Sequence, residues 1–245
     1  MSGGQAAEQQ AAWKRAVAEA AAREIPDGAT VGLGTGSTAE QMAHALAERV
    51  RGGLRVRGVP TSERTQTLAQ SLGIPIVALD DVTHIDLSLD GADEVTLPAL
   101  DLIKGRGGAL LREKLVATAS HYRIIMVDVT KVVSALGVGV AIPVEVEPFG
   151  WRHTAERIAA PGCHIVRRAL ARQPIDADPA PFITDSGHYI LDLTFAAAPD
   201  IPALAARLKA TTGVVEHGIF PAMTERVYIA GPDGVRYADH ARPAG

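Results

Sequence analysis

The chain has 245 residues, enough for one domain with a smaller companion to bury a sizeable core. Its net charge of -4 comes from 24 basic and 28 acidic residues spread evenly, so no basic face marks nucleic acid as a partner. A single cysteine, Cys163, rules out an internal disulfide, and no apolar run approaches the roughly 18 residues of a membrane span, so a soluble cytoplasmic protein is expected.

In chain order, the N-terminal "MSGGQAAEQQAAWKRA" is polar and alanine-rich, without the apolar core of a signal peptide. Residues 8–24 read as an amphipathic helix broken by "IPDG". A short buried strand over 29–34 leads into a helix over 37–50, where Ser37 and Glu40 have capping-box spacing. Strand 54–60 and helix 62–72 follow, then strands over 74–79 and 84–90. A glycine-rich turn over 104–110 opens the helix 109–120, and "YRIIMVDV" (122–129) is a further, nearly uniformly apolar strand. Strands alternating with helices at this spacing predict a Rossmann-like parallel sheet covered on both faces.

Beyond about residue 140 the order of predicted elements becomes β-α-β-β-α, with "GVVEHGIF" supplying a last strand of a ferredoxin-like unit. A proline-rich surface loop is expected over 172–182. "RVYIAGPDGVRY" reads as a hairpin returning to the first sheet. The predicted division is a Rossmann-like catalytic domain from 1–140 and 214–245, with a small α+β domain, 141–213, inserted near the C-terminal end.

Ligands of open α/β sheets gather beyond the carboxyl ends of the strands, and four such ends carry polar clusters. "GLGTGSTAE" (32–40) offers backbone amides and a helix N-terminus, but it lacks the third glycine of G-x-G-x-x-G and the Gly-Lys pair of a Walker A loop. It reads either as a cradle for a small monophosphate or as a tight turn before a capped helix. In "PTSERT" (60–65), Ser62 is a candidate N-cap. "DLSLDGADEV" (86–95) begins like a calcium loop, yet Leu97 stands where the bidentate glutamate belongs. Its carboxylates are then either a solvated turn or acceptors for polyol hydroxyls, with Asp90 and Asp93 as the candidates. In "KGRGGALLREK" (104–114), Glu113 is either a favourable charge near a helix N-terminus or a general base, and Lys104 is the cation that would face an oxyanion.

The ordered motifs "GLGTGSTA", "TSERT", "DGADEV", "KGRGGALLREK", "VDVTK" and "EHGIF" together resemble ribose-5-phosphate isomerase, type A, across about residues 11–235. The resemblance implies a metal-free and cofactor-free interconversion of D-ribose 5-phosphate and D-ribulose 5-phosphate, in the pentose phosphate pathway, through a cis-enediolate. It makes Glu113 the base, Lys104 the stabiliser of the enediolate, and Asp90 and Asp93 hydroxyl partners. Thr35, Gly36, Ser37, Thr38 and Lys131 would hold the phosphate, with Lys14 adding a positive contact. Gly91, Ala92, Gly105, Arg106 and Gly107 complete the substrate-binding set. A homodimer or homotetramer is implied, with no nucleic-acid or membrane partner. Arg106 departs from the family's unbroken glycine run, which puts the local backbone in question if φ is positive there. His217 is read as structural, Cys163 as a small side chain, and Trp13 and Trp151 as packing residues. The rivals are a sugar-phosphate sensor of related fold, which would have no use for Glu113 and Lys104, and an amino-sugar-phosphate deaminase or isomerase, which would use a catalytic histidine.

Overall fold

The computed structural model describes residues 3–170 and 179–240. Along the chain, α1 (Gly3–Ala22), β1 (Ala29–Leu33), α2 (Ser37–Arg51), β2 (Val56–Pro60), α3 (Glu63–Ser71) and β3 (Ile85–Gly91) come first. Two short strands, β4 (Glu94–Thr96) and β5 (Leu102–Ile103), precede α4 (Leu110–Ala119), β6 (Ser120–Asp128) and β7 (Val132–Val133). Then come β8 (Ile142–Val146), α5 (Trp151–Ile158), β9 (Cys163–Arg167), β10 (Tyr189–Phe195), α6 (Ile201–Ala210) and β11 (Val214–His217). The described residues close with β12 (Ile219–Phe220), β13 (Arg226–Gly231) and β14 (Gly234–Asp239).

The central sheet has the order β14-β13-β6-β3-β1-β2, parallel except for the β13–β14 hairpin. Every residue of β1 is buried, as a strand covered on both faces requires. On one face α1 and α2 bring Val17, Ala21, Met42 and Leu46 against Val31, Leu33 and Leu89. Small alanines let those helices approach closely, and Trp13 packs at the edge of the same core. Among the described residues, no helix is long and apolar enough to cross a membrane.

A second sheet, β11-β8-β10-β9, is antiparallel, and its strands and helices run in the order β8-α5-β9-β10-α6-β11. This is the ferredoxin-like arrangement. The sequence division assigned 214–217 to the large unit, but β11 pairs with β8 of the small sheet. Trp151 packs against this sheet's core, with the guanidiniums of Arg152 and Arg167 each 4.9 Å from its ring. The expected loop over 172–182 lies outside the described residues as far as 178.

Three local expectations fail for identifiable reasons. The strand expected over 74–79 reduces to one bridge between Ile76 and Gly58, because Pro75 has no N–H to give and a 3-10 turn begins at Leu79. Ser37 and Glu40 form no capping box: Gly36 takes the N-cap position at φ 105°, a region unfavourable to side chains, and Glu40 pairs with Arg64 at 2.6 Å. A third sheet, β12-β5-β4-β7, has strands of two or three residues that no alternating pattern discloses. Ser62, by contrast, caps α3 as the sequence suggests, accepting from the Thr65 N–H at 3.1 Å.

Candidate active site

Asp90 is the penultimate residue of β3, and its neighbours Ile85, Leu87 and Leu89 are buried, so the strand delivers a carboxylate to the inner end of the crevice. Gly34 crosses directly beside it: a Cβ there would come 2.1 Å from Asp90 Oδ1. That contact leaves room only for glycine. Asp90 Oδ1 accepts from the N–H groups of Thr35 (3.1 Å) and Gly91 (2.7 Å), while Oδ2 lies 2.9 Å from Lys104 Nζ.

Lys104 arrives from β5 of the third sheet, where its own N–H donates to the Gly218 carbonyl. Its ammonium also donates to the Gly91 carbonyl at 2.6 Å and lies 3.3 Å from Glu113 Oε2. Glu113 is in the first turn of α4 and only 4% exposed. Burial pushes its carboxyl up to about 8; the Lys104 ammonium opposes the rise and the Asp90 charge adds to it. Burial likewise raises Asp90 above the usual carboxylate range, against the pull of Lys104 and two backbone amides. Burial disfavours the Lys104 charge, but Asp90, Glu113 and Asp93 outweigh it and hold the ammonium more basic than an ordinary lysine. Two carboxyls thus compete for one lysine. Glu113 Oε2 has no hydrogen bond of good geometry despite its short approach to Lys104, so it remains available to a ligand.

Lys104 and Glu113 form the floor of a cavity of about 380 Å³. Thr35, Gly36, Ser37 and Thr38 line one wall, Gly91, Ala92 and Asp93 another, and the Gly105–Arg106–Gly107 turn a third. Lys14 of α1 and Lys131, just after β6, reach the same space. Asp90 is set behind it, with both oxygens already engaged, whereas Asp93 lines it directly and uses Oδ2 to accept the Arg106 N–H at 3.0 Å. The Thr35 hydroxyl is not free for a ligand, because it belongs to a cluster with Thr61 (2.7 Å), Ser62 (2.8 Å) and Thr65 (3.3 Å). The exposed Ser37 hydroxyl and the unpaired first-turn amides of α2 remain open to an anion. Arg106 does not have positive φ; Gly105 (98°) and Gly108 (84°) take that burden, so the arginine strains nothing.

The match to known proteins is extensive. The family model described as "Ribose 5-phosphate isomerase A (phosphoriboisomerase A)" fits residues 57–234. The chain belongs to this family of isomerases. It is 48% identical to ribose-5-phosphate isomerase A of Synechococcus sp. (strain JA-3-3Ab) over 223 residues, covering 91% of this chain and 94% of that one. The Methanocaldococcus jannaschii ribose 5-phosphate isomerase A structure superposes with a TM-score of 0.86 at 36% identity, covering 93% and 98% of the two chains. A D-ribose-5-phosphate isomerase in complex with phospho-erythronic acid superposes with a TM-score of 0.87 at 35% identity, covering 94% and 98%.

Two residues near the site were not singled out from the sequence. Gln10 lines the cavity, four residues before Lys14 on the same helical face, and its amide donates to Asp128 Oδ2 at 3.1 Å. That i, i+4 relation to Lys14 was a usable signal. Lys114, beside Glu113 in sequence, points the other way and fastens the β11–β12 junction through Glu216 (2.9 Å) and the carbonyls of His217 (2.6 Å) and Ile219 (2.9 Å). His217 is buried there, and burial with the Lys114 charge lowers its imidazole to about 4. A neutral, enclosed histidine away from the cavity is structural. The Cys163 thiol is half-buried, raised by that burial, and outside the cavity.

Proposed function

We propose that the cavity interconverts the acyclic forms of D-ribose 5-phosphate and D-ribulose 5-phosphate through a cis-enediolate, with Glu113 moving the proton between C2 and C1. The observation that carries this reading is Lys104 and Glu113 at the floor of a pocket, backed by Asp90, with two lysines and a helix N-terminus at its rim. A carboxyl with a proton affinity near neutrality is a far stronger base than an ordinary glutamate, yet it still ionises at working pH. Ionised Glu113 would take the C2 proton of the aldose and return it to C1. The electron pair released from C2–H forms the C1–C2 double bond as the C1 carbonyl oxygen becomes anionic; Lys104 Nζ balances that charge. The O2 proton must leave and O1 must gain one, and Asp93, which lines the cavity, would exchange it.

At the far end the phosphate would rest on the amides of residues 36–38, with Ser37 and Thr38 hydroxyls and the Lys14 and Lys131 ammoniums around it. Phospho-erythronic acid, bound by a solved relative, supports this layout: it joins a phosphate to a carboxylate, and a carboxylate resembles an enediolate in charge and shape. The reading extends to a pentose phosphate role in the cytoplasm and to a homodimer or homotetramer, which a light-scattering mass would test. The deciding experiment follows ketose formation from ribose 5-phosphate in the presence of EDTA. Turnover is expected; tight binding without turnover would make the protein a sugar-phosphate sensor instead.

A further inference from the structure

The glycine turn beside Lys104 is held from outside the cavity by the small sheet. Arg168 follows β9, and its guanidinium meets Asp192 of β10 through Nε (2.8 Å) and Nη2 (2.5 Å). Its remaining Nη1 donates to the carbonyls of Gly105 (3.1 Å) and Arg106 (3.0 Å). The strands themselves do not need this pair, because β9 and β10 are already joined by their backbone ladder. Phe182 braces the same turn: a Cβ on Gly108 would come 2.4 Å from its ring, and its N–H donates to the Arg168 carbonyl at 2.9 Å.

The consequence lies in the peptide planes. In a trans peptide the C=O and the following N–H point in opposite directions, and these bonds are trans. With the Gly105 carbonyl turned outward to Arg168, the Arg106 N–H faces inward, where Asp93 Oδ2 accepts it at 3.0 Å. With the Arg106 carbonyl turned outward as well, the Gly107 N–H must face inward too. Gly107 lines the cavity, and among the described residues its N–H meets no protein acceptor.

We propose that Arg168, locked by Asp192, is a positioning residue for the isomerisation: it holds the Arg106 carbonyl away from the cavity, reinforces the Gly105 carbonyl that the turn's own Gly108 N–H already engages at 3.0 Å, and so aims the Gly107 N–H at the oxygen that gains charge in the enediolate. The inference rests on the isomerase reading of this cavity. The guanidinium fork suits the task because one face grips a carboxylate in a bidentate pair while the other still has donors for two carbonyls. A lysine has no such fork.

The test compares wild type with Arg168→Met, Arg168→Lys and Asp192→Asn. Each is assayed for turnover of ribose 5-phosphate, inhibition by phospho-erythronic acid, inhibition by inorganic phosphate, and melting temperature. Arg168→Met is expected to lower kcat about 10–100-fold, the range for a misaimed charge-stabilising donor. Phospho-erythronic acid should weaken by a similar factor, inorganic phosphate should not, and Arg168→Lys should recover part of the loss. Asp192→Asn, which keeps the guanidinium but loosens its anchor, should fall between. Unchanged kcat and unchanged phospho-erythronic acid affinity in the two Arg168 variants would overturn the proposal. So would a uniform loss of both inhibitors that tracks melting temperature, which marks a merely structural pair. Wild-type turnover is scored separately and decides the isomerase reading alone; the clamp is judged by the ratio of variant to wild type.

Discussion

Replacing Glu113 with glutamine tests the site through two independent observables. The amide keeps the size and position of the carboxyl but can neither ionise nor take a proton from carbon. Loss of a positioned base lowers kcat by roughly 10²–10⁴-fold. KM should change little, because the phosphate contacts proposed for this cavity are made by other residues, Thr35 to Thr38, Lys14 and Lys131. The second observable is stability against pH. The folded Glu113 carboxyl releases its proton at about 8, whereas the unfolded one does so at 4.5. Between those values the folded state binds the extra proton, so wild-type stability falls as pH rises through the window and stays reduced above it. At about 1.4 kcal/mol per unit, that shift corresponds to a few kcal/mol, on the order of 10 °C in melting temperature for a chain of this size.

Glutamine escapes this loss. Glu113→Gln should therefore melt near wild type at pH 5 and distinctly higher than wild type at pH 9, while being almost inactive at both. Differential scanning fluorimetry across pH, with a coupled ketose assay on the same samples, measures the two effects together. A melting difference that does not vary with pH would refute the assignment of a raised proton affinity to Glu113. Near-normal turnover in the variant would remove it from the chemistry.

Lys131→Ala should raise KM for ribose 5-phosphate about 10–100-fold, the value of one charge-assisted contact, with kcat nearly intact; unphosphorylated ribose should show the matching defect in wild type, and an unchanged KM in both would misplace the phosphate. Gly218→Ala would set a Cβ 2.2 Å from the Lys104 carbonyl oxygen and 2.7 Å from Pro143 Cγ, so Lys104 must move; kcat should drop at least about tenfold with a lower melting temperature, as steady-state kinetics and calorimetry will show. His217, at about 4 when folded against 6.5 unfolded, leaves the unfolded state with the extra proton in that interval, so wild-type stability falls as pH drops from 6.5 to 4. His217→Asn should lack most of that acid loss in urea melts at pH 7 and pH 4.5, with turnover at neutral pH largely retained.

The central sheet's strands and their helices through residue 129 were legible because those strands are long enough to show their burial, as the run Ile85, Leu87 and Leu89 does. The members of the candidate site were legible by position: Asp90 ends the apolar run of β3, and Glu113 stands in the first turn of α4. What stayed hidden came from long-range pairing. The third sheet is built from pieces of two or three residues whose partners are as distant as β5 and β12, and nothing local in "DLIK" predicts a strand. Its hidden strand matters most, because β5 sets the height at which Lys104 enters. Thr35 was readable as part of a phosphate loop, but not that its hydroxyl would be drawn into a cluster with Thr61, Ser62 and Thr65, since that depends on β1 and β2 lying side by side. The clamp from Arg168 was illegible for the same reason. It acts on residues more than sixty positions earlier in the sequence.

The crowded carboxylates of "DGADE" make sense only with that lysine in place. Asp90 alone at a buried strand end would simply protonate, and Lys104 alone in an enclosed floor would lose its charge. Together they keep the ammonium charged, and of the three acceptors around it, the Gly91 carbonyl, Asp90 and Glu113, it holds Glu113 at the longest distance. Glu113 is the one left over: close enough to be steered at 3.3 Å, without a hydrogen bond of good geometry, and buried enough to hold a proton near neutrality. A fully satisfied Asp–Lys–Glu network would be more stable and chemically inert, because its glutamate would titrate far below working pH. The mismatch is therefore local to the one side chain proposed to exchange a proton with carbon, and the amides, hydroxyl cluster and glycine contacts around it hold that mismatch in position.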